Sequence, residues 1–291
     1  MSDDSIILRP QNIHELLVMA NEYPLAVIYA GGTSLFPQIS SGLKEIPSHT
    51  ISLEHVQEMN HISRTEKYLE IGARANLEKI YSIGPPVIPD TLLKAIRETA
   101  SPSIRNISSI GGIICSGKGS SSILAPLYLF DTLLEIRSLS RSRWIPISRF
   151  ISEKGSIQLR EKEVLTRIRI PFGEWNYQNY RKSLYNSKSR DESLSFCACI
   201  RLSKNIILDL RFAFGGVSKR PFRNREFEIL FLGKKIPFRT EELNALISEL
   251  QFYLSPKDEK EKPIAYQTRC ALEYCRYFFE EINLGIHHIP G

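Results

Sequence analysis

The chain has 291 residues, 42% of them hydrophobic and 24% charged, enough to bury a substantial core as one large domain or two ordinary ones. No stretch approaches the ~18 apolar residues needed to cross a bilayer. The opening MSDDSIILRP carries acids and lacks the apolar core of a secretion signal, so a cytoplasmic setting with no membrane partner is the expectation. The net charge of +6 permits an anionic partner. The basic stretches 137–143 and 181–190 lack the aromatic interleaving of a nucleic-acid platform, so they read as solvated faces and no nucleic-acid partner is expected.

In chain order, Ile13, Leu16, Leu17 and Ala20 recur at helical spacing behind Asn12, a candidate N-cap. Leu25 to Ala30 is a short apolar run rich in β-branched residues that ends abruptly at Gly31-Gly32-Thr33-Ser34, which predicts a buried strand entering a tight turn. Residues 49–56 and 68–75 predict further strands, and 91–100 a short helix closed by Ser-Pro. A second glycine-rich stretch, 104–120, leads into a helix over 122–130 and a strand beginning at Thr132. Glu163 to Phe172 reads as the last strand of the first region. Beyond residue 176, Ser193–Val217 predicts an antiparallel pair turning at Ser203-Lys204-Asn205. Two amphipathic helices follow, separated by the charged stretch 255–263. The change of character predicts two domains, 1–173 and 176–291.

Cys115, Cys197, Cys199, Cys270 and Cys275 form no CxxC pair and no iron–sulfur spacing, so they read as reduced thiols. If Cys197 and Cys199 lie on a strand they share a face, as small buried hydrophobes. The six histidines, His287 and His288 in the tail included, belong to no ligand cluster, and no metal site is expected.

The chemistry concentrates in the two glycine-rich turns, each predicted to lie directly after a strand. Glycine is retained where backbone dihedrals are unusual or something approaches closely. Successive exposed amides in such a turn form an anion-binding nest. Two nests brought together, amides 31–34 and 109–112, would cradle a diphosphate, with the Thr33 and Ser109 hydroxyls donating to the same oxygens. The alternative is a pair of ordinary tight turns.

On these residues the chain resembles the FAD-binding subunit of the molybdenum hydroxylases, the family of xanthine and carbon monoxide dehydrogenases. Val27-Ile28-Tyr29-Ala30-Gly31-Gly32-Thr33-Ser34-Leu35 is similar to the family's first flavin-diphosphate loop, AGGTDL, and Ile104 to Ile113 to its second, IRNxxTxGGN. Ile71-Gly72-Ala73 resembles a strand end beside the cofactor, and Glu163 to Ile168, which includes Leu165, a segment passing the flavin. Ala213 to Val217 with Pro221 and Arg223 is similar to FGGVAxxPxR, and Tyr266 and Arg269 fit the final helix.

The resemblance implies an α+β fold: a two-lobed FAD-binding domain, then a small domain of a three-stranded antiparallel sheet with helices. It implies FAD as cofactor, held by Val27, Tyr29, Ala30, Gly31, Gly32, Thr33, Ser34, Leu35, Gly72, Ala73, Ser109, Gly111, Gly112, Ile113, Ser122, Leu165 and Lys182, with no catalytic residue named. It also implies partners. Electrons come from the [2Fe-2S] clusters of a small subunit, fed by a molybdopterin-binding large subunit, and leave to NAD or another acceptor. Such a chain alone is expected to be inactive on organic substrate.

Three positions depart from the pattern. Ser34 stands where the family has an acid, Ile113 where it has asparagine, and Ser122 where it has aspartate. The last two side chains hydrogen-bond the cofactor in the family, and isoleucine makes no such bond. Two or three losses of about 0.5–1.5 kcal/mol each would weaken binding by roughly ten- to several-hundredfold. Lys118 offers a compensating charge, and the loop glycines are present, so retained FAD is the expectation. A flavin-free structural subunit is the alternative, and a stand-alone flavoenzyme the third option.

Overall fold

The computed structural model describes residues 5–186, 189–254 and 265–285; His287, His288 and the charged stretch 255–263 lie outside the described residues. The chain divides into two compact units. One comprises Met1–Pro89, Ile96–Lys118 and Phe130–Phe172, the other Asp90–Ala95, Gly119–Leu129 and Gly173–Gly291.

The first unit holds two sheets. Strands β1 (Ile6–Leu8), β2 (Val27–Tyr29) and β3 (His49–Ser52) form a parallel sheet in the order β1-β3-β2. The helix Ile13–Glu22 makes the crossover from β1 to β2, with Asn12 accepting from the Glu15 amide as its cap. Placing β2 at an edge leaves Val27, Ile28 and Tyr29 half-buried, which corrects the expectation of a buried strand; the buried one is β3, with Ile51 fully enclosed. Strands β4 (Ile62–Arg64), β5 (Tyr68–Gly72), β6 (Leu133–Arg137), β7 (Ser142–Pro146) and β8 (Val164–Pro171) make an antiparallel sheet in the order β4-β5-β8-β6-β7. Its inner face carries Leu69, Ile71, Leu134, Ile136, Ile168 and Ile170, and its outer face a lattice of charge. There Glu70 pairs with both Arg167 and Arg169, and the Arg169 guanidinium lies 4.0 Å from the Trp144 ring centroid. Arg143, from the basic stretch 137–143, holds Glu163, and that bond draws the Glu163 carboxyl below the usual carboxylate range.

In the second unit β9 (Tyr177–Asn186), β10 (Ser189–Ser203) and β11 (Ile206–Gly215) form an antiparallel sheet in the order β11-β10-β9. Lys204 and Asn205 take the left-handed conformation that a tight hairpin between β10 and β11 requires. One face, with Phe196, Phe212 and Phe214, packs on the helices Arg225–Ile229, Thr240–Leu254 and Ala265–Asn283 through Phe227, Phe231, Phe278 and Phe279. The opposite face carries Cys197 and Cys199, both fully enclosed; burial pushes their thiols well above the usual range, so they behave as small apolar groups. Arg223 and Glu228 form a buried ion pair at 2.8 Å, and Arg223 also donates to the carbonyls of Tyr128 and Leu129. This fixes the helix Leu124–Leu129 to the end of the sheet. Burial raises the Glu228 carboxyl and the Arg223 guanidinium draws it back, with burial prevailing.

Candidate functional site

Three segments of the first unit meet. The loop after β2 approaches the second glycine stretch so closely that a Cβ on Gly31 would overlap the Ile107 carbonyl oxygen. The Ser108 hydroxyl donates across the junction to Thr33 Oγ1 at 3.1 Å. From the other side, the turn after β5 engages the second stretch. The amides of Ile110 and Gly111 donate to the carbonyls of Ala75 and Ala73, and the Leu77 amide to the carbonyl of Ser108. Asn76 ties the same corner, its side-chain amide donating to the Asn106 carbonyl. Ala73 in turn donates to Thr166 of β8, which brings Leu165 into the neighbourhood.

The two loops differ in what they leave open. Among the described residues, none of the amides of Gly31, Gly32, Thr33 and Ser34 donates a hydrogen bond. Gly32 holds φ at +66°, and a Cβ there would run into the Phe36 ring, which also meets Tyr29 edge-on at 5.8 Å. Val27, Tyr29, Ala30 and Leu35 are half-buried around this loop, and Ser34 is exposed, its hydroxyl accepting from Gln38.

The second stretch departs from the sequence expectation. No strand precedes it: helices Pro102–Ile107 and Ile110–Cys115 flank Ser108 and Ser109, so Gly111 and Gly112 sit inside a helix. Its amides are mostly spent. Ile110 and Gly111 donate to the turn after β5, Gly112 to the Ser109 hydroxyl, and Ile113 to the Ser109 carbonyl. Of residues 109–112 only the Ser109 amide is open among the described residues. The hydroxyl that reaches Thr33 belongs to Ser108, not to Ser109. Arg105, nearly enclosed, anchors the first of these helices through Glu78 at 2.7 Å and the carbonyls of Arg97 and Ala100. Gly111 is needed because a Cβ there would lie 2.5 Å from the Ala73 carbonyl oxygen.

The remaining candidates lie in the second unit. Ser122 is buried ahead of the helix Leu124–Leu129, and Lys182 is half-buried on β9, in register with Ser195 of β10. Arg181 beside it, from the basic stretch 181–190, pairs with Glu281 at 2.7 Å. Among the described residues no group of three or more His, Cys, Asp and Glu could hold a metal ion, and no helix is long and apolar enough to cross a membrane.

With these positions fixed, the comparisons with known proteins decide the family. Residues 3–173 match the FAD binding domain in molybdopterin dehydrogenase, and residues 179–282 the CO dehydrogenase flavoprotein C-terminal domain. The chain belongs to the FAD-binding subunits of the molybdenum hydroxylases. It is 27% identical over 233 residues to the xanthine dehydrogenase FAD-binding subunit of Escherichia coli O157:H7, spanning 78% of this chain and 79% of the relative. To the glyceraldehyde dehydrogenase medium chain of Sulfolobus acidocaldarius it is 27% identical over 210 residues, or 71% and 73% of the two chains. Among solved structures, quinoline 2-oxidoreductase from Pseudomonas putida 86 shares the fold with a TM-score of 0.83 at 18% identity, over 98% of each chain. Carbon monoxide dehydrogenase from Hydrogenophaga pseudoflava does so with a TM-score of 0.81 at 22% identity, over 94% of this chain and 95% of that one. Membership of this flavoprotein family, and the α+β fold with its three-stranded antiparallel sheet, agree with the expectations drawn from the loop motifs.

Proposed function

We propose that this chain binds FAD and serves as the electron-exit subunit of a molybdenum hydroxylase. It would receive electrons from the [2Fe-2S] clusters of a small partner subunit, fed by a molybdopterin-binding large subunit, and deliver them to NAD or another acceptor. The observation that carries the reading is the row of open amides at Gly31, Gly32, Thr33 and Ser34, held against the second glycine stretch. Unpaired backbone N–H groups want an anionic partner, and a turn that offers several in succession suits a diphosphate.

The proposed cofactor-binding residues are Val27, Tyr29, Ala30, Gly31, Gly32, Thr33, Ser34, Leu35, Gly72, Ala73, Ser109, Gly111, Gly112, Ile113, Ser122, Leu165 and Lys182. The first loop would supply amide donors, and Ser109 its open amide and a hydroxyl that still has its own proton to give. Gly72, Ala73 and Gly111 would shape the wall by close backbone approach. When bound, the isoalloxazine supplies the redox chemistry, and the protein supplies position and electrostatics. The proposed domain limits are 1–173 for the flavin-binding part and 176–291 for the C-terminal part. A cytoplasmic setting accords with cysteines that are all free.

The test is a visible spectrum of the purified full-length chain, desalted after incubation with excess FAD. Retention of the flavin absorption band near one equivalent is expected, without oxidation of any organic substrate by the chain alone. Turnover of such a substrate would end the subunit assignment. A colourless protein would favour a second reading, a flavin-free structural subunit. That reading has its own support: the amides of Ile110, Gly111 and Gly112 are already spent inside the chain, and Ile113 stands where the family resemblance implies a hydrogen-bonding asparagine.

A further inference from the structure

We propose that Ser108 is a positioning residue for the diphosphate: by donating to Thr33 it turns the Thr33 hydroxyl into an oriented donor toward the anion. This rests on the flavin reading above and extends it to a residue that the loop motif leaves unspecified.

Ser108 is built to hold one direction. Its side chain is almost wholly enclosed. Its amide donates to the Ile104 carbonyl at 2.8 Å, and its own carbonyl accepts from the Leu77 amide at 3.0 Å. With both backbone groups pinned, the hydroxyl has Thr33 Oγ1 at 3.1 Å as its acceptor. A threonine hydroxyl has one proton to give and two lone pairs to receive with. Filling one lone pair from Ser108 fixes the rotor and leaves the Thr33 proton directed elsewhere. Among the described residues nothing accepts it, and Thr33 stands in the row of open amides. A hydroxyl that accepts a hydrogen bond donates a stronger one, by about 10–30% in the condensed phase. Ser109 is held from within its own helix, its oxygen receiving the Gly112 amide, so its proton stays available without help from the first loop. Through Ser108, the second stretch therefore acts on the anion by way of the first loop.

A double-mutant cycle on the purified, flavin-stripped, full-length chain tests this, with FAD affinity read by titration calorimetry and folding by thermal melting. Ser108→Ala is expected to weaken FAD binding about fivefold, the worth of one modest hydrogen bond. Thr33→Val should lose at least as much, and the double variant should bind no more weakly than Thr33→Val alone. Thr33→Ser, which keeps the hydroxyl, should stay within about twofold of the unmodified chain. A Ser108 that merely supports the fold would weaken binding equally in the Thr33→Val background, and such additivity would overturn the proposal. So would unchanged FAD affinity in Ser108→Ala. If the unmodified chain binds no FAD, the flavin reading itself fails and takes this one with it, an outcome distinct from either of the others.

Discussion

The two glycine stretches look alike as sequence and do opposite work in the fold. Gly31 and Gly32 lie in an irregular turn whose amides are open, whereas Gly111 and Gly112 lie in a helix whose amides are bonded inside the chain. A pair of glycines therefore marks close backbone approach in both places but an anion nest in only one. The sharpest way to break that comparison is Gly31→Ala set beside Gly112→Ala. The first drives a methyl into the Ile107 carbonyl oxygen, an atom that cannot move without separating the loops. It should cost about 3 kcal/mol, the upper range for overpacking, in urea unfolding. The second meets only the Ser109 hydroxyl at 2.9 Å, and a better helix former returns about 1 kcal/mol. It should stay within about 1 kcal/mol of the unmodified chain. Equal losses would mean that the two stretches play the same structural part.

A smaller effect sharpens the same contrast. Ser109 caps the helix Ile110–Cys115 by accepting from the Gly112 amide at 3.1 Å. Ser109→Ala should lower unfolding stability by about 1 kcal/mol, the usual loss at an N-cap. Ser34 begins the helix Leu35–Ser40 without any such side-chain bond, so Ser34→Ala should leave stability within about 0.5 kcal/mol. A destabilisation at Ser34 to match that at Ser109 would contradict the division of labour between the loops.

The first loop is legible in the sequence because its cues agree: an apolar β-branched run, then two glycines and two hydroxyl residues, with no competing periodicity. The second misleads because two signals conflict. Ile104, Ile107, Ile110 and Ile114 recur at helical spacing, but Gly111 and Gly112 are poor helix formers and favour the prediction of a turn. The approach of Gly111 to the Ala73 carbonyl overrides that penalty, and nothing local in the chain announces a partner nearly forty residues upstream. Strand β9 is equally hard to see from pattern. Its buried Asn179 and Tyr180 and the paired Arg181 give no clean alternation, and Glu281, which accepts from both Asn179 and Arg181, is a hundred residues away. Here the family resemblance, which implies a three-stranded sheet, supplies what periodicity does not.

The mildest test concerns the position where the second stretch departs from its family. Ile113 is half-buried, its backbone committed to the helix through the Ser109 carbonyl, so its side chain alone is free to change function. Replacing it by asparagine introduces the side chain that the loop resemblance implies as a hydrogen-bond partner for the cofactor. The helix should tolerate this, since asparagine and isoleucine differ by only a few tenths of a kcal/mol in propensity. FAD affinity in equilibrium dialysis should then tighten about fivefold, as a new hydrogen bond outweighs the apolar packing of the isoleucine. That gain would mean that spent amides and an apolar side chain are separate features of the second stretch, the first built into the fold and the second reversible by one residue. An affinity that stays the same or falls would mean that residue 113 does not face the ligand, and would leave the first loop as the main source of direct contacts.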